Sequence, residues 1–314
     1  MSGRPALSIV VPVFNEVESV RPLARRIRAA CAPLGIPYEV VFVDDGSRDG
    51  TFEALAALHA EDPAVVVVRF RRNYGQTAAM AAGFRLARGR VIVSMDGDLQ
   101  NDPADVPRLL ARLEEGYDVV QGWRVSRQDR LVSRRIPSQV ANWLIARLTG
   151  VAVHDNGCSL KAYRAEVIRR TALYAELHRF IPAMAALTGA RIAEIPVRHH
   201  PRRFGRSKYG LGRAWRVFLD LFLVKMLTGF AARPGLWFAS WALVSGLLGA
   251  GCLLGLLAPV ESGIVLPALA FLCLGLAGHL IAMGVMGEML LATGNFRPEP
   301  VAALRVTGPA GRGR

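Results

Sequence analysis

Two carboxylates one residue apart close an apolar run in Val93-Ser-Met-Asp-Gly-Asp-Leu-Gln-Asn-Asp-Pro103. Arg90 to Met95 (RVIVSM) reads as a short β-branched strand, and Asp98, Gln100, Asn101 and Asp102 follow it without a break. Oxygen ligands therefore gather where a strand ends, and in an open α/β sheet that edge is where ligands bind. Such oxygens suit a hard divalent cation. A calcium loop is excluded: Asp96, Asp98 and Gln100 match its first three ligand positions, but its obligatory glycine is Asn101 and its closing glutamate is Pro107. A plain solvated turn is the alternative, since Asp, Gly and Asn are turn formers.

Two more groups stand in the same relation to apolar runs. Pro12-Val-Phe-Asn15-Glu16 closes the first run, and Val43-Asp44-Asp45-Gly46-Ser47 closes the second. Any one of them can be a turn or a cap, and Asp45 to Thr51 would cap a helix unaided. Three neighbouring strands that all deliver carboxylates to one sheet edge point further. Asp44, Asp45 and Glu16 are acceptors for a nucleotide's base and ribose hydroxyls, and Asp98 with Gln100 can hold the cation of a diphosphate. A metal there neutralises charge developing on a departing diphosphate.

The elements that position these groups alternate. Leu7 to Val13 precedes a helix near Val17 to Cys31; Tyr38 to Val43 precedes one near Thr51 to Ala60; Val65 to Phe70 precedes one across Gly75 to Ala87. Arg90 to Met95 precedes a helix from Pro103 to Glu115, and Tyr117 to Gln121 makes a fifth strand. The alternation predicts an α/β fold with a mainly parallel sheet and helices on both faces. Neither GxGxxG nor GxxxxGK[ST] occurs, which speaks against a dinucleotide dehydrogenase or a P-loop NTPase. Beyond Gln121 the pattern loosens into a polar region with a helix around Pro137 to Leu148, an irregular HDNGCSLKAYR segment, and a last strand near Ile192 to Val197.

The chain has 314 residues, 52% of them hydrophobic, and a mean hydropathy of +0.28. The apolar excess is local. Leu236 to Ala258 carries no charge, and Ile264 to Met286 is interrupted only by Pro267 and His279. Each stretch exceeds the roughly 20 residues that span a bilayer, so two transmembrane helices joined by the link PVESG are expected, with His279 as a helix-packing group. Residues 1 to 35 lack the charged start, apolar core and cleavage site of a signal peptide. Arg198, Arg202, Arg203, Arg206, Lys208, Arg213, Arg216, Lys225 and Arg233 precede the first span, and Arg297 and Arg305 follow the second. Both flanks are therefore expected in the cytoplasm.

Net charge is +14 and the isoelectric point about 10.7. The basic residues cluster beside the apolar stretches and no zinc-finger or RNP-type motif is present, so anionic lipid headgroups, and not nucleic acid, are the expected partner. Arg213 to Phe230 carries Arg213, Arg216 and Asp220 along one stripe amid Trp, Phe and Leu, which reads as an interfacial helix. Cys31, Cys158, Cys252 and Cys273 are scattered and form no CxxC pair, fitting free thiols in a reducing compartment. The tail from Val301 reads as disordered.

The runs PVFNE, VDDGSRDGT, NYGQTAAMAAG, DGDLQNDP, GWR and RFGRSKYG together resemble family 2 glycosyltransferases of the GT-A fold. More narrowly they resemble the polyprenyl-phosphate sugar transferases, which include dolichol-phosphate mannose synthases and bacterial undecaprenyl-phosphate relatives. The resemblance covers about Ser8 to Lys208, and the two C-terminal spans fit the bacterial branch. It implies metal-dependent, inverting transfer of a sugar from a UDP- or GDP-linked donor to the phosphate of a membrane polyprenol, with Mg²⁺ or Mn²⁺ as cofactor. Carried over motif by motif, Pro12, Asn15, Glu16, Asp44, Asp45 and Asp96 hold the nucleotide, and Asp96, Asp98 and Gln100 the metal. Arg124, Arg134 and Ser138 face the acceptor phosphate, with Asp98 and Arg124 at the catalytic centre. Arg203, Arg206, Ser207 and Lys208 form a basic loop that closes on the diphosphate or binds headgroups.

DNGCSLKAY departs from the family's more usual run, in which an Asp precedes a Gly-Phe-Arg-like sequence, and Asp155 enters as a candidate acceptor-side or catalytic carboxylate. His178 and Arg179 sit at a plausible acceptor-side helix start, with capping or packing as the alternative. The expected organisation is a catalytic domain over 1–210, an interfacial region over 211–234, a two-helix transmembrane hairpin over 235–290 and a cytoplasmic tail over 291–314, in a bacterial inner membrane. Two other functions stay open: glycosylation of another lipid's hydroxyl with Asp155 as general base, and a catalytically silent nucleotide-binding scaffold. Sugar identity is not encoded in these motifs, and a homo-oligomer is a family-level implication only.

Overall fold

The computed structural model describes residues 5–125, 147, 151, 153–171, 173, 177–186, 189–201, 234–257, 263–293 and 303–306. These fall into two units, an α/β unit up to residue 201 together with 303–306, and a unit of two apolar helices.

The α/β unit is built on one sheet in the order β7-β5-β6-β4-β1-β2-β3-β8. Its strands are β1 (Leu7–Val13), β2 (Tyr38–Asp44), β3 (Val65–Phe70), β4 (Val91–Ser94), β5 (Val119–Trp123), β6 (Lys161–Arg164), β7 (Ile192–Pro196) and β8 (Ala303–Val306). Between the first strands lie α1 (Val17–Cys31), α2 (Thr51–Glu61), α3 (Gln76–Leu86) and, after β4, α4 (Val106–Glu114). β3, β2, β1 and β4 run parallel, as the alternation predicts. Their near-continuous Val and Ile runs reflect burial on both faces. Ile9, Val11, Phe42 and Val67 pack with Val20, Leu23 and Ile27 of α1 and Leu55 of α2. Val10, Val41, Val43 and Val68 pack with Met80 and Phe84 of α3 on the other face.

Register then aligns the carboxyl ends. Val13 lies opposite Asp44, and Asp44 opposite Arg69. β4 ends at Ser94, so Asp96 and Asp98 leave the same edge.

Three features differ from the sequence reading. β5 starts and ends two residues later than expected, because Gly122 and Trp123 continue the ladder opposite Ile195 and Pro196 of β7. The segment read as irregular contains β6, which runs antiparallel to both β4 and β5 and puts Lys161 opposite Ser94 and Gln121. In the tail read as disordered, β8 pairs antiparallel with β3.

The second unit consists of the helices Pro234–Gly255 and Val265–Thr293. Pro234–Gly255 and Val265–Leu290 are strongly apolar, and most of their length is exposed rather than buried. Helices this apolar and this bare suit a bilayer better than a soluble core. Small residues are buried on both, Ala242 and Gly249 on the first and Ala270 and Ala277 on the second, and a Cβ on Gly249 would lie 2.9 Å from Leu274 Cγ. The Ser245 hydroxyl donates to the Cys273 carbonyl at 2.8 Å. Glu288 accepts the Gly235 N–H at 3.0 Å, tying the end of the second helix to the start of the first. His279 faces outward instead of into the helix pair. The expected interfacial helix over 213–230 and the helix around Pro137 to Leu148 lie outside the described residues, apart from Arg147 in the latter.

Candidate active site

The acidic groups at the sheet edge are bound to one another's loops. Asp44 is fully buried at the end of β2, and its Oδ1 accepts the Ser47 N–H at 2.9 Å. Its Oδ2 meets no hydrogen-bond donor among the described residues and has Arg69 Nε at 3.7 Å. A buried carboxylate oxygen without a donor costs about 1–3 kcal/mol, so this atom is suited to a ligand hydroxyl or ring N–H.

Asp45 is committed to the protein. Its Oδ1 accepts the Tyr74 N–H at 2.7 Å, and its Oδ2 accepts the Gly75 N–H and the Asn73 side-chain amide, both at 2.9 Å. Burial pushes its pKa up, against the pull of the Tyr74 and Gly75 N–H groups. Gly46, next along, has φ +72°, and a Cβ there would lie 2.6 Å from the backbone carbon of Arg72. The DDG turn thus clamps the β3–α3 loop from below, with the glycine demanded by both conformation and contact.

Asn15 and Glu16 stitch the β1 loop to the β2 loop. The Asn15 N–H donates to Ser47 Oγ at 2.8 Å and its Oδ1 accepts the Arg48 N–H at 2.9 Å. The Glu16 N–H donates to Thr51 Oγ1 at 2.9 Å, and Glu16 Oε2 accepts the Ser19 hydroxyl at 2.9 Å. Pro12 is half-buried in register with Val43.

Beyond β4, Asp96 Oδ1 accepts Gln76 Nε2 at 2.7 Å, and Asp98 Oδ1 accepts the Gln100 N–H at 3.1 Å. Asp98 is buried and Gln100 half-buried. Asn15 (φ 54°) and Leu99 (φ 63°) are the non-glycine residues with positive φ among those described, and both lie in these loops. Strain of this kind, of order 1–3 kcal/mol per residue, concentrates where loops are shaped for a ligand. Among the described residues no three His, Cys, Asp or Glu side chains converge. Mg²⁺-type sites use one or two carboxylates and fill the remaining positions with substrate phosphates and water, so Asp96, Asp98 and Gln100 fit such an ion.

Arg124 follows β5 at the same edge. Its Nε donates to Asp155 Oδ2 at 2.6 Å and its Nη2 to Oδ1 at 2.9 Å, with the two side chains 12% and 5% exposed. Burial alone would lower the guanidinium's pKa; the bonds to Asp155 outweigh it and hold the group above the ordinary arginine value. The Asp155 turn is itself fixed. Glu194 of β7 accepts the His154 N–H at 2.9 Å and the Asp155 N–H at 3.4 Å. Gln121 Nε2 and the Cys158 N–H both donate to the Asp155 carbonyl. Asp155 therefore orients an arginine, and the N–H groups of Arg124 that do not face it remain for an anion.

Asp102 locks the exit of the β4 loop, with Arg26 at 3.2 Å, Arg198 at 3.4 Å and His200 at 3.1 Å. His178 Nδ1 lies 2.7 Å from Thr77 Oγ1, next in sequence to Gln76, whose side chain donates to Asp96. Arg134, Ser138, Arg203, Arg206, Ser207 and Lys208 lie outside the described residues, and so does the Arg179 side chain. Sequence reasoning did not single out Gln76, Gln121, Lys161 or Glu194. Gln76 stood in the quoted NYGQT run and Lys161 in DNGCSLKAY; Gln121 and Glu194 carry no local signal, because their roles depend on the order of β4, β6, β5 and β7.

Residues 8–173 match the family model described as glycosyl transferase family 2. The chain is 50% identical over 246 residues, 77% of its own length and 73% of the relative's, to the dodecaprenyl-phosphate galacturonate synthase of Rhizobium johnstonii. It is 41% identical over 294 residues, 90% of its length and 84% of the relative's, to the undecaprenyl-phosphate 4-deoxy-4-formamido-L-arabinose transferase of Pseudomonas aeruginosa. Among solved structures it resembles glucosyl-3-phosphoglycerate synthase from Mycobacterium tuberculosis in complex with Mg²⁺ and UDP, with a TM-score of 0.54 and 19% identity over 70% of this chain and 79% of that one. That likeness establishes the fold: the mostly parallel mixed sheet is the GT-A fold.

Proposed function

The chain belongs to glycosyl transferase family 2, and we propose that it transfers a sugar from a UDP- or GDP-linked donor to the phosphate of a membrane polyprenol. The carrying observation is the Arg124–Asp155 pair, a dry and pre-oriented cation at the same sheet edge as the acidic loops. Relatives named for dodecaprenyl and undecaprenyl phosphate support the acceptor class. Two apolar helices support a membrane-bound enzyme, for which we propose a bacterial inner membrane with the α/β unit cytoplasmic.

In this reading Asp44 holds the base or ribose through Oδ2, which has the Arg69 guanidinium near it but accepts no hydrogen bond among the described residues, within a pocket shaped by Pro12, Asn15, Glu16 and Asp45. Mg²⁺ or Mn²⁺ held by Asp96, Asp98 and Gln100 would neutralise charge on the departing nucleoside diphosphate. Arg124 holds the acceptor phosphate, joined by Arg134 and Ser138, and the basic loop Arg203, Arg206, Ser207 and Lys208 attends the diphosphate or the headgroups. A phosphate oxygen of the acceptor bonds to the anomeric carbon from the face opposite the leaving group. The bond from that carbon to the donor's β-phosphate oxygen breaks, and its electron pair leaves with the nucleoside diphosphate, which inverts the centre. The acceptor oxygen is already anionic, so positioning matters more than deprotonation. Transfer to a lipid hydroxyl would need a general base, and the Asp155 carboxylate is already bonded to Arg124.

The test is sugar transfer by the detergent-purified full chain with Mg²⁺ or Mn²⁺, undecaprenyl phosphate and a panel of UDP- and GDP-sugars, beside Asp98→Asn. A lipid-linked sugar from one donor, absent in Asp98→Asn, is expected. Equal glycosylation of undecaprenol lacking the phosphate would overturn the acceptor assignment. Metal-dependent nucleotide binding without transfer would remove the acceptor class, and absence of both would leave a silent scaffold that keeps only the fold.

A further inference from the structure

Lys161 opens β6 and is 2% exposed. Register sets it between Ser94, the last residue of β4, and Gln121, the middle residue of β5. Its ammonium donates to the backbone carbonyl of Asn156 at 3.3 Å, not to a carboxylate. Gln121, its fully buried register partner, donates to the carbonyl of Asp155. Two adjacent strands thus grip successive carbonyls of the turn that presents Asp155 to Arg124.

The charged and titratable groups that bear on Lys161 are Cys158 and Asp155 from the turn, Arg124 after β5 and Asp96 after β4. Burial pushes the lysine's pKa down to about 8, so it remains a cation at neutral pH. An ammonium buried on a carbonyl is costly, and an apolar side chain of its size would pack there more stably. The charge sum gives the reason for keeping it. Arg124 stands beside two carboxylates, Asp155 and Asp96, and with those alone the site would be net negative and would repel an anion. Lys161 offsets the second carboxylate where low dielectric makes one charge count.

Resting on the acceptor reading above, we propose that Lys161 is a positioning residue: its buried ammonium, with Gln121, pins the Asp155 turn and offsets the second carboxylate beside Arg124, so that the arginine can hold the acceptor phosphate.

The test uses full-length protein in detergent with undecaprenyl phosphate and the reactive nucleotide sugar, comparing Lys161→Met, Lys161→Gln, Lys161→Arg and Arg124→Ala. Lys161→Met and Lys161→Gln are expected to raise KM for undecaprenyl phosphate on the order of tenfold, the scale of one charge interaction in a protein interior. UDP affinity stays within twofold of wild type, Tm is equal or higher, and Lys161→Arg returns KM to near wild type. A merely structural lysine gives another pattern: lower Tm, with nucleotide affinity and kcat lost together and no rescue by arginine. That pattern, failure of both the Met and Gln variants to fold, or an unchanged KM in an active protein would overturn the proposal alone. An inactive wild type, or an Arg124→Ala indistinguishable from wild type, would instead overturn the acceptor reading on which it rests.

Discussion

Replacing Asp155 with asparagine removes one charge and leaves the side chain's shape. Asp155 is 4% exposed and accepts two charge-assisted bonds from Arg124, at 2.6 and 2.9 Å. Asparagine keeps one acceptor oxygen, turns an amide N–H toward the guanidinium, and leaves two buried cations, Arg124 and Lys161, without the carboxylate between them. Removing one partner of a buried pair costs about 3–5 kcal/mol; with one bond retained, about 3 kcal/mol is expected. For a unit of some 200 residues that is a Tm lowered by roughly 6–12 °C. Arg124 loses its fixed direction, and displacement of a positioning group by about 1 Å lowers turnover on the order of 100-fold. UDP affinity should not change, because Asp44, Asp45 and Asn15 are held by bonds that do not involve Asp155. Thermal unfolding, transfer kinetics and UDP titration on one preparation measure all three. The double variant with Lys161→Met should recover part of the lost Tm, since it discards the second unbalanced charge. Turnover within twofold of wild type together with an unshifted Tm would refute the reasoning, as would a loss of UDP affinity matching the loss of turnover.

Gly46→Ala places a Cβ 2.6 Å from the Arg72 backbone at φ +72°, so the Asp45 clamp must open, at about 1–3 kcal/mol of strain. Titration with UDP should show Kd raised at least roughly tenfold, and wild-type affinity would count against the clamp. Lys161 also predicts a pH dependence. Its folded pKa of about 8 lies below the 10.5 of an unperturbed lysine. Between those values the unfolded chain holds a proton that the folded chain has released, so this group makes stability rise with pH from about 8 to 10.5. Below pH 8 the buried charge costs a constant amount, about 3 kcal/mol for the 2.5-unit difference (10.5 − 8). Tm measured from pH 7 to 10 should climb relative to Lys161→Met above pH 8, and parallel curves would show that the lysine is not buried as described. Chelation of divalent metal should abolish transfer and restore it on readdition of Mg²⁺ or Mn²⁺; transfer that persists in chelator would remove the metal from Asp96 and Asp98.

The first four strands were readable because each is a run rich in β-branched residues buried on both faces, and three of them, β1, β2 and β4, lead into carboxylates that have no place in such a run. Position alone marked Asp44, Asp96 and Asp98. What each carboxylate does was not readable: Asp44 and Asp45 are neighbours in sequence, yet one leaves an oxygen open and the other closes a loop through three bonds. The difference depends on where Asn73 to Gly75 return in space. β6 escaped because Lys161 to Arg164 is short and carries a cation at each end, a pattern that reads as a surface turn. Its insertion between β4 and β5 buries Lys161, and no periodicity in the sequence reports which strand becomes whose neighbour. The apolar helices were the easiest to see, and Glu288 the easiest to overlook there, since it lies past the expected end of the second span yet binds the first turn of the other helix.

Because β8 lies against β3, the polypeptide departs from the α/β unit after β7 and later rejoins the edge of the sheet it left. A chain tethered at both ends to one folded body can traverse a bilayer only an even number of times in between, and two is the smallest count that leaves any traverse at all. With the two apolar helices as the candidate crossings among the described residues, parity makes them a single decision: both cross or neither does. A reporter fused ahead of Leu7 and one fused after Val306 must then share a compartment whatever the charge of the loops between them.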